Sequence, residues 1–217
     1  MPLSSPDGRP LKDYVNEFGQ NLLHLCTSPT DAKELLEAGV DVNGRDNFRQ
    51  VPLHLLMRKG LIEVVLYLLS QTIQLIDPNA QDTGGTSPLH LAESVEVNNS
   101  LLNHPHIIPN IKNNKGITPL MKAVLYPKHK DIVVALLAHP SIKLDELNEC
   151  DEKGMTALEH ALTKRDTFDG ELRYTLILDK MKLLATLQNT CPPAVEPDPE
   201  VKPEPARRCR PSRCTFQ

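Results

Sequence analysis

The chain of 217 residues contains no tryptophan, and aromatic residues make up only 4% of it. A leucine-rich, aromatic-poor core suits thin stacked layers better than one large globule. A basic excess is missing too. Lysine and arginine number 24 against 28 acids, a net charge of −4, which argues against general affinity for nucleic acid. No apolar run is long enough to span a bilayer, and Met1 to Pro10 is polar and proline-rich, unlike a signal peptide. The five cysteines (26, 150, 191, 209 and 214) are odd in number and unevenly spaced. They make no disulfide framework, and a reducing, cytoplasmic setting is expected. Asn98-Asn99-Ser100 fits the glycosylation pattern but would rarely be used there. The length allows one domain, or one domain and a tail.

Signatures of chemistry are also missing. There is no glycine-rich phosphate loop, no His-Glu-x-x-His helix and no Gly-x-Ser-x-Gly elbow. The acid pairs Asp145-Glu146 and Asp151-Glu152 lie in turn segments and read as solvated charge. His104-Pro105-His106 has no second pair of cysteines or carboxylates at ligand spacing, so it reads as a loop with exposed imidazoles. Cys209 and Cys214 likewise lack two further ligands. Accordingly no catalytic residue, cofactor or metal is expected.

What the chain does have is a returning phrase. Val51-Pro52-Leu53-His54-Leu55-Leu56 reappears as Ser87-Pro88-Leu89-His90-Leu91-Ala92 and Thr118-Pro119-Leu120-Met121-Lys122-Ala123. Worn copies stand at Asn21 to Leu25 and Thr156 to Ala161. Anchored on Leu23, Leu53, Leu89, Leu120 and Leu158, the steps are 30, 36, 31 and 38 residues, the period of a helical repeat array. Ser or Thr before Pro offers a cap oxygen to a helix that starts on the proline. A second apolar run follows each phrase. Leu61, Val64, Val65 and Leu68 make one helical stripe, and Ile62, Val65, Leu66 and Leu69 its neighbour, so this helix is buried on more than one side. Each unit is thus a pair of short helices and a turn.

These residues carry a close resemblance to the ankyrin repeats. The family's Gly-x-Thr-Pro-Leu-His phrase is matched by Gly85-Thr86-Ser87-Pro88-Leu89-His90 and, in part, by Gly116-Ile117-Thr118-Pro119-Leu120. Its ending is matched by Glu34-Leu35-Leu36-Glu37-Ala38-Gly39-Val40-Asp41-Val42-Asn43. Met121 and Glu159 replace the histidine, and Arg49 replaces the glycine before Val51. The resemblance implies an all-α solenoid of about five helix-turn-helix units, and the proline-rich composition beyond Cys191 adds a disordered C-terminal tail. It also implies that His24, His54 and His90 hydrogen-bond neighbouring turns, one per layer, too far apart to share an ion.

Taken in order, residues 1–15 form a leader with three prolines, expected to be loosely ordered. The repeats occupy 16–190, with helices expected over Leu22 to Thr27, Asp31 to Ala38, Pro52 to Lys59 and Leu61 to Ser70. Further helices are expected at Val97 to Asn103, Pro119 to Tyr126, His129 to His139 and, longest, Glu171 to Gln188. A linker follows over 191–206, where Pro192 to Pro205 holds six prolines and alternating charge, an extended spacer. The tail, 207–217, is basic and ends in Cys214-Thr215-Phe216-Gln217, the pattern of a farnesylated terminus. Arg207, Arg208, Arg210 and Arg213 would favour an anionic leaflet by about 1 kcal/mol each, and Cys209 could take a palmitoyl chain as the second signal.

The function expected is non-catalytic recognition of one or more proteins by a monomeric stack, through the concave face and turn tips. The candidate contacts lie just before each phrase: Asn47, Phe48, Arg49, Thr83, Gly84, Asn114, Lys115, Glu152 and Lys153. Phe48 beside Arg49 has the composition of an interface anchor, unless its ring tucks back onto the first repeat. Lipidation would make the protein a peripheral membrane adaptor. Without it the chain is a soluble cytosolic or nuclear scaffold that masks a partner. Ankyrin arrays with such a tail also resemble secreted effectors that act in a host cell.

Overall fold

Three of the five copies of the phrase place a proline (Pro52, Pro88, Pro119) at the first helical position, where its fixed φ suits the turn and its missing N–H costs nothing. The computed structural model describes residues 6, 8–71, 75–126, 129–140, 142, 147–163, 175–177, 179–180 and 182–183. In them, α1 (Leu22–Leu25), α3 (Pro52–Arg58), a 3-10 turn (Pro88–Leu91), α6 (Pro119–Leu125) and α8 (Ala157–Thr163) begin at the phrases. The second helices are α2 (Pro29–Glu37), α4 (Ile62–Gln71), α5 (Val95–Leu102) and α7 (Lys130–Ala138). Among the described residues there is no β-strand, and no helix is long and apolar enough to cross a membrane.

The helices stack in two rows. In the first row α1 packs on α3, α3 on the 3-10 turn, that turn on α6, and α6 on α8. In the second row α2 packs on α4, α4 on α5 and α5 on α7. Between the rows lie Leu23, Leu53, Leu56, Leu68, Leu101, Met121 and Leu136, all essentially sealed from solvent. Each such leucine contributes about 2 kcal/mol of transfer free energy, spread evenly along the stack. Of the two stripes expected on α4, Val64, Val65, Leu68 and Leu69 are buried, while Ile62 is exposed. Gly39 ends α2 at φ +80, with its amide bonded to Leu36 O at 3.0 Å, the expected left-handed stop.

Two local departures have physical causes. The first element of the third repeat is only a 3-10 turn. Ala92 adopts extended backbone, because Ser94 must already cap α5 by accepting from Val97 N at 3.4 Å. Capping by the residue before proline is also less uniform than expected. Thr118 Oγ1 accepts from Met121 N at 3.2 Å, but Val51 has no cap oxygen and Ser87 turns its hydroxyl to His90 Nδ1 at 2.8 Å. In the leader, residues 11–13 form a 3-10 turn, and Leu11 packs against the core. Of the long terminal helix, residues 175–177, 179–180 and 182–183 are helical and Ile177 is fully buried. The remainder of that segment, the linker and the basic tail lie outside the described residues.

Candidate functional site

The loop before each phrase folds in the same way, because an Asn or Asp opens it. The side-chain Oδ1 of Asn16, Asp46, Asp82, Asn113 and Asp151 accepts from the amides two and four residues on, at 2.8–3.0 Å. The residue three after the opener has positive φ. It is Gly19, Gly85, Gly116 and Gly154 in four turns, and Arg49 (φ 59) in the other. A side chain at Gly85 would meet Asn114 N at 2.6 Å as well as needing φ +71, so only glycine fits there.

The five tips are tied into one ridge. Asn47 N donates to Phe18 O, Thr83 N to Phe48 O, Asn114 N to Gly84 O and Glu152 N to Lys115 O, at 2.9–3.0 Å. Side-chain amides add to it: Asn47 Nδ2 reaches Glu17 O at 3.1 Å and Asn114 Nδ2 reaches Thr83 O at 2.9 Å. Asn47 and Asn114 therefore spend their amides within the ridge.

Histidines anchor the ridge to the helices. Nδ1 of His24, His54 and His90 accepts from the backbone N–H of Asn21, Val51 and Ser87 at 3.2–3.3 Å. Nε2 of each lies 2.9–3.0 Å from a carbonyl of the next turn, Gln50, Thr86 and Ile117. This is the role that the resemblance implied. Burial holds all three imidazoles below the usual histidine range, His90 down to about 4, against the opposing pull of those carbonyls. In the fourth unit Met121 Sδ takes the Nδ1 position, 3.5 Å from Thr118 N.

The second carboxylate oxygen of each opener varies. Asp82 Oδ2 binds Arg58 at 2.9 Å and Asp151 Oδ2 binds His160 at 2.9 Å, while Asp46 Oδ2 is buried without a partner. Burial pushes the Asp82 carboxyl upward, but the amides of Thr86 and Gly84, with His54 and Arg58, outweigh it and hold it low.

Asn47, Phe48, Arg49, Thr83, Gly84, Asn114, Lys115, Glu152 and Lys153 are all exposed on this ridge. Phe48 keeps 55% of its surface in solvent, so its ring does not tuck onto the first repeat. Phe18, 49% exposed and two residues after Asn16 as Phe48 is after Asp46, joins them. Its signal in the sequence was that shared register. Beside the third and fourth tips a groove of about 380 Å³ is lined by Thr86, Lys115, Lys122 and the half-exposed Tyr126.

Two expectations are corrected. Asp151, read as solvated charge, is buried, its carboxylate accepting from the Lys153 and Met155 amides and paired with His160, while Glu152 is exposed as read. His104 is buried, with Nδ1 accepting from His106 N at 3.2 Å, so only His106 is an exposed imidazole. Among the described residues no three His, Cys, Asp or Glu side chains gather within reach of one ion. Cys209, Cys214, Arg207, Arg208, Arg210 and Arg213 lie outside the described residues.

No family model matches the chain. Human rabankyrin-5 is 32% identical over 166 residues, which are 68% of this chain and 14% of that protein. An ankyrin repeat protein of fowlpox virus is 32% identical over 133 residues, 59% of this chain and 38% of its own length. The chain thus spans a minor part of both relatives. A crystal structure of an ankyrin repeat domain from Acinetobacter baumannii superposes with a TM-score of 0.66 at 25% identity, covering 80% of this chain and 88% of that one.

Proposed function

We propose, from the premise that this chain is an ankyrin-repeat protein, that it acts without catalysis by binding a partner protein along its tips and the adjoining concave face. The observation that carries this is the pair Phe18 and Phe48, aromatic rings left half in water on a ridge whose backbone is otherwise tied down. The ridge is pre-organised, so little conformational entropy is lost on binding. The candidate contacts are Asn47, Phe48, Arg49, Thr83, Lys115 and Lys153, with Phe18 added. In the test, Phe48→Ser with Arg49→Gly weakens binding of an affinity-purified partner by about 1–4 kcal/mol without lowering the melting temperature. Unchanged affinity discards this pair.

The second half of the proposal concerns the tail. With Gln217 as the terminus, Cys214 stands where a prenyltransferase alkylates the thiol, and terminal glutamine directs a farnesyl chain. Arg207, Arg208, Arg210 and Arg213, and a palmitoyl group on Cys209, supply the second attachment that one lipid needs. The proline spacer stands the repeats off the membrane. A secreted effector would acquire the lipid from its host. Cys214→Ser then moves the protein to the soluble fraction of eukaryotic cells. An unmodified C-terminal peptide in intact-mass measurement leaves a soluble scaffold that masks its partner.

A further inference from the structure

The side chains along the ridge are segregated by chemistry. Two residues after each turn opener stand Phe18, Phe48, Gly84, Lys115 and Lys153 in that order. The ridge begins with two exposed rings, passes a position with no side chain, and ends in two exposed ammonium groups. Beneath the cationic part, Lys122 lines the groove of about 380 Å³. Among the described residues no carboxylate lies within ion-pairing distance of it. Burial, and then the neighbouring Arg58 guanidinium, depress its pKa, so a carboxylate entering the groove replaces solvation that Lys122 has lost. Of the two acids whose fields reach it, Asp82 is already engaged by Arg58, and Glu93 lies outside ion-pairing distance. At the outer ends, Glu17 precedes Phe18 and Glu152 precedes Lys153, so each outer tip carries an acid beside it.

We infer that the ridge takes an extended acidic segment of a partner protein, its apolar residues on Phe18 and Phe48 and its carboxylates on Lys115 and Lys122. This rests on the reading of the tips as the recognition surface, and it adds the chemistry of the partner. Phe48 and Lys115 stand two layers apart, roughly 16–20 Å, which an extended chain crosses in about six residues. Gly84 between them leaves room for the crossing backbone. The segment is therefore apolar at one end and acidic at the other, with a short neutral stretch between.

The test is fluorescence anisotropy with the full chain and labelled synthetic peptides. Each peptide carries Leu-Phe-Leu, a Gly-Ser spacer of about six residues, and Asp-Glu-Asp-Glu, in both orders. Controls carry serine or lysine in place of the acids. The acidic peptide in one order binds at least about tenfold more tightly than its serine control, and the gap narrows in high salt. Lys115→Glu with Lys122→Glu removes that gap without changing the melting curve. Equal binding of acidic and serine peptides overturns the acidic partner. The tips still stand as the surface if Phe18→Ser and Phe48→Ser weaken both. No binding by any peptide, with no effect of the phenylalanine substitutions on a purified partner, overturns both readings. Sedimentation of the chain alone guards against self-association: a dimer dissolved by Lys115→Glu with Lys122→Glu assigns the ridge to a second copy and overturns the proposal.

Discussion

A buried imidazole that links a helix to the next turn must stay neutral, and this makes His24, His54 and His90 sensitive to acid. Each has its pKa below the unfolded value near 6.5. The unfolded chain therefore binds protons first as pH falls. Stability is complete above pH 6.5 and declines as pH drops toward about 4, the value for His90. The slope is up to about 1.4 kcal/mol per pH unit for each histidine, and His90 alone accounts for about 3 kcal/mol over the window. Urea denaturation between pH 7.5 and 4.5 measures this, and His90→Met, copying Met121, should reduce the slope by one proton's worth. An equal slope in that variant would relocate the acid sensitivity elsewhere. Arg49 offers a second residue-scale check. It holds φ 59 where four sister turns have glycine, so Arg49→Gly should raise stability by about 1 kcal/mol. A loss would mean that the arginine side chain contributes to the fold as well as to the ridge.

Within α5, Asn98 is fully buried, and both its amide nitrogen and its oxygen lack a partner. Such a group costs on the order of 1–3 kcal/mol. Asn98→Leu should accordingly raise the urea midpoint by an amount in that range. A drop would show that the amide holds a bonded water. Burial also removes Asn98 as a glycosylation acceptor in the folded chain. The pattern of valines and leucines around it marked a short helix, but it could not reveal that the intervening asparagine faces inward. That orientation follows from α5 contacting α4 on one side and α7 on the other, which puts Asn98 on the buried face with Val97, Leu101 and Leu102.

Among the described helices the main contacts join each layer to its neighbours, so an interior lesion loosens both sides of the stack. Leu53 lies at 0% exposure in α3, which contacts α1, α4 and the 3-10 turn. Leu53→Ala should cost about 2–5 kcal/mol and lower the melting temperature by several degrees. A melting temperature matching the parent within about two degrees would mean that the layers bear load independently. The lipid proposal belongs to this scale too, because it concerns where the whole stack is held rather than how any layer packs.

The sequence by itself determined the repeating helix pairs and that Leu23, Leu53, Leu89 and Leu120 are central, though not that Leu158 stays half-buried, because period and helix start signals are local properties of the chain. It also marked Phe48 and Arg49, through one turn that departs from its sisters. Only the tertiary structure decided that Phe48 and Phe18 both face solvent. Lys122 entered the groove in the same way. Those facts depend on hydrogen bonds between turns 30 to 38 residues apart, and a local pattern carries no information about which side chains such a ladder brings into one row. The shrunken helix at Pro88–Leu91 and the buried His104 were illegible for a related reason. Each is set by how neighbouring repeats close on it, and the same residues in an isolated unit would be free to do otherwise.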